Sequence, residues 1–385
     1  MGIARGLFVY QEHGWRNNVQ EEDVIKRMMD YTKRPVVILG VTGTVGQRFI
    51  ECLADHPWFE IAAVMASERN VGRLVDEACR WLLPGESPSS VGRMTILPMD
   101  PPAIDVDDAV RPIAFSALPA NVARDVEPAF AEAGYAVFSN ASSFRYDADV
   151  PLLIPEVNAD HAALLTSQRR RRGWSGFIVT NPNCTTTGIA MALKPLDDAF
   201  GLRRVFVTTM QAISGAGYPG TPSFDILDNV IPFIPGEEEK ISRELRLLLG
   251  EMQGDHVVET DIVVSAQANR VPVVDGHTIC LSLDLERPAS PEEAVTAMAA
   301  FRGGGSVCHL PSAPGRPLVM HTEDDRPQPR IDCSLGGGMT VSIGRVRRCP
   351  LLDLRMVIVV HNTIRGAARG SVLNAEALVE SGYVE

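Results

Sequence analysis

The pattern of hydrophobic and polar positions first indicates a domain in which strands and helices alternate. Between residues 34 and 183, short apolar runs rich in β-branched residues are separated by stretches of helical period. The runs are RPVVIL, FEIAAVMAS, PIAFSAL and AVFSNA, and the clearest helical stretch is ANVARDVEPAFAEAG. Glycines follow the first run, and a helix is expected from about Gln47. This alternation predicts an α/β fold with a Rossmann-type, doubly wound parallel sheet.

After residue 183 the predicted strands are longer, and their polar and apolar positions alternate or mix. They lie in the segments RVFVTTMQAIS, HVVETDIVVSAQANRVPV, GHTICLSLDLE and MTVSIGRVRR, while Ser290 and Pro291 mark the start of a helix. This pattern predicts an α+β domain with a mixed or antiparallel sheet and helices on one face. The segment SAPGRPLVMHTEDDRPQPR is rich in proline and charge, and we expect it to run over the surface or along an interface.

Composition and charge exclude several classes of function. A net charge of −12 and an aromatic content of 6% argue against a nucleic-acid partner. The sequence contains no apolar run long enough to cross a bilayer and no signal-peptide core, so we expect no membrane partner and a cytoplasmic protein. Seven cysteines without a C-x-x-C pair, and histidines without H-x-x-x-H spacing, predict reduced thiols and no metal site. An anionic ligand must therefore be bound by a few placed basic groups and backbone N–H donors.

Three glycines indicate a dinucleotide site. Gly40, Gly43 and Gly46 form G-x-x-G-x-x-G directly after a predicted strand and directly before a predicted helix. Glycine permits a tight turn and close approach to a pyrophosphate, which the free N–H groups of the helix N-terminus then bind. A plain strand-to-helix turn is the alternative. Further cofactor contacts are expected at Thr42, Thr44, Val45 and Ser116.

The end of the second strand bears on which nicotinamide cofactor is used. NAD sites usually carry an acidic residue there, whereas an arginine nearby accommodates the extra phosphate of NADP. The strand is followed by Ser67, Glu68 and Arg69. Ser67 and Arg69 favour NADP, because both can bind a 2′-phosphate, while Glu68 leaves NAD open.

The segment GFIVTNPNCTTTGIAMALKPL indicates a nucleophile. A strand is expected to end at Thr180, and Cys184 then lies at the start of an apolar helix, after a short turn. The positive end of the helix dipole is expected to lower the pKa of this thiol and to increase its thiolate fraction. A buried structural cysteine is the alternative, but the polar neighbours Asn183 and Thr185–Thr187 argue against an inert apolar pocket.

The segment NPNCTTTG resembles the active-site segment of aspartate-semialdehyde dehydrogenases, especially those of archaea and fungi. The likeness covers nearly the whole chain after residue 34, through VTGTVGQRF, FSALPA, SNASSFR, IPEVN, QAISGAGYPG, IPFIPGEEEKI, RVPVVDGH, LPSAPGRP and HNTIRGAARGSVLNAE. The resemblance implies an NADP-dependent enzyme of amino-acid biosynthesis, on the route to lysine, threonine, methionine and isoleucine. It would reduce L-aspartyl-4-phosphate to aspartate semialdehyde through a thioester on Cys184.

The resemblance also implies roles for individual residues around the nucleophile. His277, in RVPVVDGH, matches the general acid/base, and a near-neutral imidazole suits proton transfer. Arg270 matches the residue that binds the substrate α-carboxylate, for which a guanidinium fork is suited. Gln211 matches a substrate-positioning residue. The residues implied near the nicotinamide are Ser214, Gly215 and Asn362.

Charged residues are implied for the rest of the substrate. Glu237 would contact the substrate amino group, although Glu238 or Glu239 could be the true counterpart. Arg145 and Lys240 would bind phosphate. Surface ion pairs are the ordinary alternative for all of these residues, including an i,i+3 pair between Glu237 and Lys240 on one helical face.

Two other functions stay open from the sequence. A malonyl-CoA reductase on the same scaffold would also need a cysteine, a histidine and a carboxylate-binding arginine. A non-catalytic dinucleotide-binding protein would not need Cys184 or His277, and both are present.

The tail NTIRGAARGSVLNAEALVESG has a helical pattern with small residues on one side, and we expect it to return to the first domain. The sequence thus predicts an N-terminal extension at 1–33, an NADP-binding domain at 34–183 and 362–385, and a catalytic and dimerisation domain at 184–361. We expect a homodimer or homotetramer that acts on a small molecule and phosphate.

Overall fold

The two regions of the chain that differ in hydrophobic pattern each contain a six-stranded sheet. The computed structural model describes residues 33–101, 111–305 and 307–384. The predicted N-terminal extension lies outside these residues except for Lys33. The α/β class, the parallel first sheet and the mixed second sheet are all confirmed.

The first sheet is entirely parallel and has the order β3-β2-β1-β4-β5-β6. Its strands are apolar along almost their whole length, because helices cover both faces and bury both sets of alternating side chains. The strands are β1 Arg34–Leu39, β2 Phe59–Met65, β3 Ile96–Leu97, β4 Ile113–Ser116, β5 Ala136–Ser139 and β6 Phe177–Thr180.

The second sheet is mixed and has the order β10-β7-β11-β14-β13-β12. Its strands, with a separate hairpin formed by β8 and β9, are β7 Leu202–Gln211, β8 Glu251–Gln253, β9 His256–Val258, β10 Val263–Arg270, β11 His277–Leu285, β12 Leu318–Met320, β13 Val341–Arg348 and β14 Leu354–Val360. Strands β10 and β12 lie parallel to their neighbours, and the other pairings are antiparallel.

The helices differ widely in length. They are α1 Thr44–Leu53, α2 Val75–Ala78, α3 Ser89–Gly92, α4 Ala120–Glu132, α5 Pro155–Asn158, α6 Leu164–Arg172, α7 Cys184–Phe200, α8 Ser223–Ile226, α9 Glu237–Leu248, α10 Pro291–Ala300, α11 Pro329–Asp332 and α12 Arg369–Glu380. Helices α7, α9 and α10 cover one face of the second sheet. The other face stays open, with Phe206 42% and Val263 61% exposed.

One prediction about this domain needs correction. The segment SAPGRPLVMHTEDDRPQPR was expected to run over the surface or along an interface without a strand, but it contains strand β12, which pairs with β13 at the edge of the sheet. Leu318 in that strand is only 3% exposed and packs into the core. Three apolar residues between charged and proline-rich stretches are too short a run to reveal a strand by periodicity.

The tail returns to the first domain, as predicted. A π-helical turn at Ile364–Ala368 leads into α12, whose apolar side chains pack in the core of the first sheet. Arg365 in this turn forms a bidentate ion pair with Glu156, 209 residues away in sequence, at 2.6 and 2.7 Å. Both side chains are only 1% exposed. This buried pair fixes the tail where the two domains meet.

Replacing Glu156 with glutamine should destabilise the protein strongly, because it leaves the Arg365 guanidinium buried without its counter-charge. Breaking one side of a buried ion pair costs about 3–5 kcal/mol. Urea unfolding followed by circular dichroism measures the free energy. The control is Lys194→Gln, which breaks a surface pair with Asp198 at 2.7 Å and should cost less than about 1 kcal/mol. Equal losses in the two variants would contradict the expectation.

Candidate active site

Cys184, the predicted nucleophile, follows the last strand of the first sheet and begins a helix that packs on the second sheet. Strand β6 ends at Thr180 and α7 begins at Cys184, as the sequence predicts. Asn183 caps the helix, since its side-chain oxygen accepts hydrogen bonds from the backbone N–H groups of Thr185 at 2.9 Å and Thr186 at 3.2 Å. Gly366 of the π-helical turn lies against the cysteine, because a Cβ there would be 2.6 Å from the Cβ of Cys184.

His277 is the direct partner of the thiol. Its Nε2 lies 3.2 Å from the Sγ of Cys184, and the imidazole is fully buried at the first position of β11. The backbone N–H of Ala212 donates to Nδ1 at 3.0 Å. A neutral imidazole in this setting therefore carries its proton on Nε2, the atom that faces the sulfur.

The predicted lowering of the thiol pKa is wrong for this structure. Burial, and next the negative charge of Glu237, raise the pKa of Cys184 to about 12, although Arg145 and Arg270 oppose the shift. Burial and the positive charge of Arg270 also lower the pKa of His277 to about 3. These shifts favour a protonated thiol beside a neutral imidazole.

Glu237 is the acceptor on which the amide groups of the site converge. It is 5% exposed, and one of its oxygens accepts from Asn183 Nδ2 and Gln211 Nε2, each at 2.9 Å, and from the Thr185 hydroxyl at 3.3 Å. Its other oxygen lies 4.0 Å from Lys240 Nζ. A carboxylate oriented in this way can pair with a positive group of a ligand.

The alternatives at Glu238 and Glu239 do not reach this position. Both side chains are exposed, and Glu238 accepts a hydrogen bond from the backbone N–H of Ala268 on the neighbouring strand. Helix α9 begins at Glu237, so only the first of the three glutamates faces Asn183.

Arg270 is near enough to Cys184 to lower the pKa of its thiol electrostatically. The residue is 8% exposed, and its guanidinium donates to the carbonyl of Ala212 at 2.9 Å. The Ala212 peptide thus holds both Arg270 and His277. Gly215 packs between these two side chains, because a Cβ there would be 3.0 Å from Arg270 Nη1 and 3.2 Å from His277 Cε1. A side chain at this position would crowd both groups.

Arg145 is near enough to Cys184 to influence its thiol electrostatically, and it is 8% exposed. Its guanidinium donates to Glu244 at 2.8 Å and to the carbonyl of Asn140 at 2.9 Å.

The sequence reasoning missed Glu244 and did not single out Asn183 as a site residue. An asparagine directly before an apolar helix was a signal for the cap, and the seven-residue spacing from Glu237 to Glu244 was a signal for a shared helical face.

The glycine turn has the geometry that a dinucleotide requires. Gly40 has a φ of +86°, and a Cβ at Gly46 would be 2.2 Å from the Gly40 carbonyl oxygen, so both positions need glycine. Gly43 is exposed at the N-terminus of α1, whose first turn contains no acidic residue. The partly exposed residues around this turn are Thr42, Thr44 and Val45. An anionic pyrophosphate fits this helix end.

The remaining predicted cofactor residues fall into two groups. Ser67 and Arg69 are exposed just beyond the carboxyl end of β2, where a ribose phosphate can reach them. Asn362 joins the cofactor side to the catalytic side, since it donates to the Ser214 hydroxyl at 2.7 Å and accepts from the backbone N–H of Gly276 at 3.0 Å.

The predicted contact of Ser116 with the cofactor is wrong for its side chain. Ser116 is fully buried at the end of β4, where it helps to moderate the raised pKa of the buried carboxyl group of Glu127. The strand places its alternate side chains in the cores on the two faces of the sheet, and both faces are covered by helices, so the Ser116 side chain is buried whichever face it takes.

Within residues 33–101, 111–305 and 307–384, no group of histidine, cysteine and acidic side chains is placed to hold a metal ion. No helix in the same ranges has the length and apolar character needed to cross a membrane.

Comparison with known proteins assigns both parts of the chain. The family model described as "Semialdehyde dehydrogenase, NAD binding domain" matches residues 35–165, and "Semialdehyde dehydrogenase, dimerisation domain" matches residues 193–365. The aspartate-semialdehyde dehydrogenase of Archaeoglobus fulgidus is 49% identical over 91% of this chain and 99% of that protein. That of Methanothermobacter thermautotrophicus is 51% identical over 90% of this chain and 99% of its own.

A solved structure and one relative with a different name complete the comparison. The aspartate semialdehyde dehydrogenase of Candida albicans with NADP aligns with a TM-score of 0.84 at 39% identity, over 91% of this chain and 100% of its own. The malonyl CoA reductase (NADP) of Metallosphaera sedula is 39% identical over 90% of this chain and 97% of its own. Identities near one half over nine tenths of the sequence show that this chain belongs to the aspartate-semialdehyde dehydrogenase family, in the branch that contains archaeal and fungal enzymes.

Proposed function

We propose that the chain is an NADP-dependent aspartate-semialdehyde dehydrogenase that converts L-aspartyl-4-phosphate to aspartate semialdehyde in amino-acid biosynthesis. The observation that carries the proposal is the thiol of Cys184, 3.2 Å from His277 Nε2 and flanked by Glu237 and Arg270. This arrangement offers a nucleophile, a hydrogen-bond donor, and one charge of each sign for a substrate that carries both an ammonium and a carboxylate.

The first chemical step uses the sulfur as a covalent nucleophile. The sulfur of Cys184 attacks the acyl carbon, a C–S bond forms, and the C–O bond to phosphate breaks. The proton of the thiol leaves with the phosphate as HPO4²⁻, so no separate base needs to retain it. Arg145 and Lys240 bind the departing phosphate.

The second step reduces the thioester to the aldehyde. NADPH, when bound at the glycine turn, supplies the hydride. The thiohemiacetal oxyanion then collapses, which breaks the C–S bond and returns the sulfur of Cys184 as a thiolate that takes up a proton. Splitting the reaction in this way replaces one difficult step with two easier ones.

His277 acts in both steps as a donor from Nε2. Because Ala212 N–H occupies Nδ1, the imidazole cannot take the thiol proton on Nε2 while keeping that contact. It instead donates to the thiolate and then to the oxygen that becomes negative in each tetrahedral intermediate. The resemblance implied a general acid/base at this position. The role proposed for His277 is instead to stabilise negative charge by donating a hydrogen bond.

Two charged residues recognise the amino-acid end of the substrate. Arg270 binds the α-carboxylate through two parallel hydrogen bonds. Glu237 pairs with the α-ammonium, and its contacts with Asn183 and Gln211 hold the carboxylate in position. Burial strengthens both interactions, because water screens them little.

The charge of Glu237 also argues against malonyl-CoA as the substrate. Malonyl-CoA has no ammonium group, and a buried glutamate would repel its carboxylate. A non-catalytic dinucleotide-binding protein would have no need for the close contact between Cys184 and His277. The structure supports neither alternative over the aspartyl substrate.

The dimerisation domain offers a surface for a second copy of the chain. The open face of the second sheet exposes Phe206 and Val263 on neighbouring strands. We propose a homodimer that covers this face, from which a tetramer could be built. The described cysteines are all unpaired thiols, which supports placing the enzyme in the cytoplasm.

Replacing Cys184 with serine should abolish activity while cofactor binding is retained, because a neutral hydroxyl is a much weaker nucleophile. Mass spectrometry of the wild-type enzyme with substrate should show an acyl adduct on the peptide that contains Cys184. An adduct on any other cysteine would overturn the assignment.

The Arg69→Ala variant should bind NADPH at least about tenfold more weakly, because it removes a charge-assisted contact with the 2′-phosphate. Its affinity for NADH, which lacks that phosphate, should be unchanged. Fluorescence titration with each cofactor measures both. Equal weakening for the two cofactors would remove Arg69 from the phosphate site.

The Glu237→Gln variant separates the two substrate hypotheses. With aspartate semialdehyde and phosphate, its kcat/KM should fall at least about 30-fold, since losing one partner of a buried charge pair costs roughly 2–5 kcal/mol. Malonyl-CoA should show little turnover in either protein. Glu239→Gln, at an exposed neighbour on the same helix, is the matched control and should behave as the wild type. Wild-type turnover of malonyl-CoA that equals or exceeds that of the semialdehyde would refute the proposed function.

A further inference from the structure

Glu244 is a fully buried carboxylate that touches two parts of the site at once. One of its oxygens accepts from Arg145 Nη1 at 2.8 Å, and the other accepts from the backbone N–H of Asn183 at 2.5 Å. Tyr146 lies on a further side, and its pKa is raised to about 12 by burial and then by the negative charge of Glu244. Each oxygen of the carboxylate therefore accepts a hydrogen bond from a residue of the site, and the side chain is closed to water.

The two contacts of Glu244 join the two groups that have to be aligned in the first chemical step. Arg145 is the guanidinium that binds the leaving phosphate in the proposed function. Asn183 immediately precedes the nucleophile Cys184, and its peptide plane sets the direction in which α7 begins. One rigid carboxylate group thus fixes the phosphate-binding charge relative to the attacking sulfur.

Helix α9 places Glu244 on the same side as the residues that face the substrate. Glu237, Lys240 and Glu244 are three and four residues apart, so they follow one another along one helical face. The first binds the cap side chain of Asn183 and the last binds its backbone N–H. Helix α9 therefore forms hydrogen bonds with both the side chain and the backbone of Asn183, the residue directly before the nucleophile.

We propose that Glu244 is a positioning residue for phosphate departure, which acts through Arg145. It holds the guanidinium in a fixed position relative to the start of α7 and compensates part of its charge, so that phosphate is bound and then released. The inference rests on the proposed function. A purely structural role, in which Glu244 only neutralises a buried arginine, is the competing explanation.

A double-mutant cycle with Arg145 separates these two roles. The variants Glu244→Gln, Arg145→Gln and the double variant are assayed for oxidation of aspartate semialdehyde with inorganic phosphate and NADP. If Glu244 acts through Arg145, Glu244→Gln lowers kcat by about tenfold or more while the KM for phosphate does not rise, because the arginine charge is no longer compensated. The double variant should then be no slower than Arg145→Gln alone.

Glu239→Gln is the matched control, since it removes a charge from an exposed position of the same helix and should leave kcat unchanged. Thermal unfolding and NADP affinity show whether each variant is folded. A kcat for folded Glu244→Gln within about twofold of wild type, or losses that multiply in the double variant, overturns the proposal.

A second variant keeps the test decisive if Glu244→Gln does not fold. Glu244→Asp retains the charge but is one methylene shorter, so it cannot span Arg145 and the Asn183 N–H together, and it should show the same loss of kcat. Wild-type kcat in Glu244→Asp would overturn the proposal. A wild-type enzyme that shows no phosphate-dependent oxidation of the semialdehyde would instead refute the proposed function, whatever the variants do.

Discussion

The position at which α7 begins is the constraint on which the site depends. Asn183 caps the N-terminus of the helix. Its side-chain oxygen accepts hydrogen bonds from two backbone N–H groups that have no partner within the helix. The other end of the same amide binds Glu237, and the backbone N–H binds Glu244. A shift of the helix start by one residue would turn Cys184 by about 100°, away from His277, because an α-helix has about 3.6 residues per turn.

The site combines a rigid frame with an unfavourable charge balance. Neither domain contains it alone, because the turn before Cys184 follows the first sheet while His277 and Arg270 belong to the second. Burial raises the pKa of Cys184 and lowers that of His277, so both groups are neutral in this structure. In the proposed mechanism the sulfur therefore keeps its proton until it attacks the acyl carbon, and the positive charges of Arg145 and Arg270 favour negative charge on the sulfur.

The sequence was most informative where local chemistry decides the structure. The glycine turn, the helix that begins at Cys184 and the parallel strands of the first sheet all follow from spacing and periodicity, since each depends on residues close in sequence. The roles of His277, Glu237 and Arg270 came from the family resemblance, because nothing in a lone histidine or arginine distinguishes it from a surface residue.

The errors have a common physical origin in tertiary packing. The helix dipole alone suggested a low thiol pKa, but the surrounding protein removes water from Cys184, and that effect is larger. Ser116 was assigned by its place at a strand end, whereas helices cover both faces of the sheet and leave its side chain fully buried. Glu244 was missed because its partners Arg145 and Asn183 are distant in sequence.

The contact between Gly366 and Cys184 has a consequence for how the enzyme matures in the cell. Domains fold as they leave the ribosome, beginning with the N-terminal part of the chain. Cys184 therefore emerges long before the π-helical turn that lies against it, and before α12 can complete the first domain. The surroundings of Cys184 are therefore completed late in translation, and a chain that ended before residue 366 would lack the turn that packs against this cysteine.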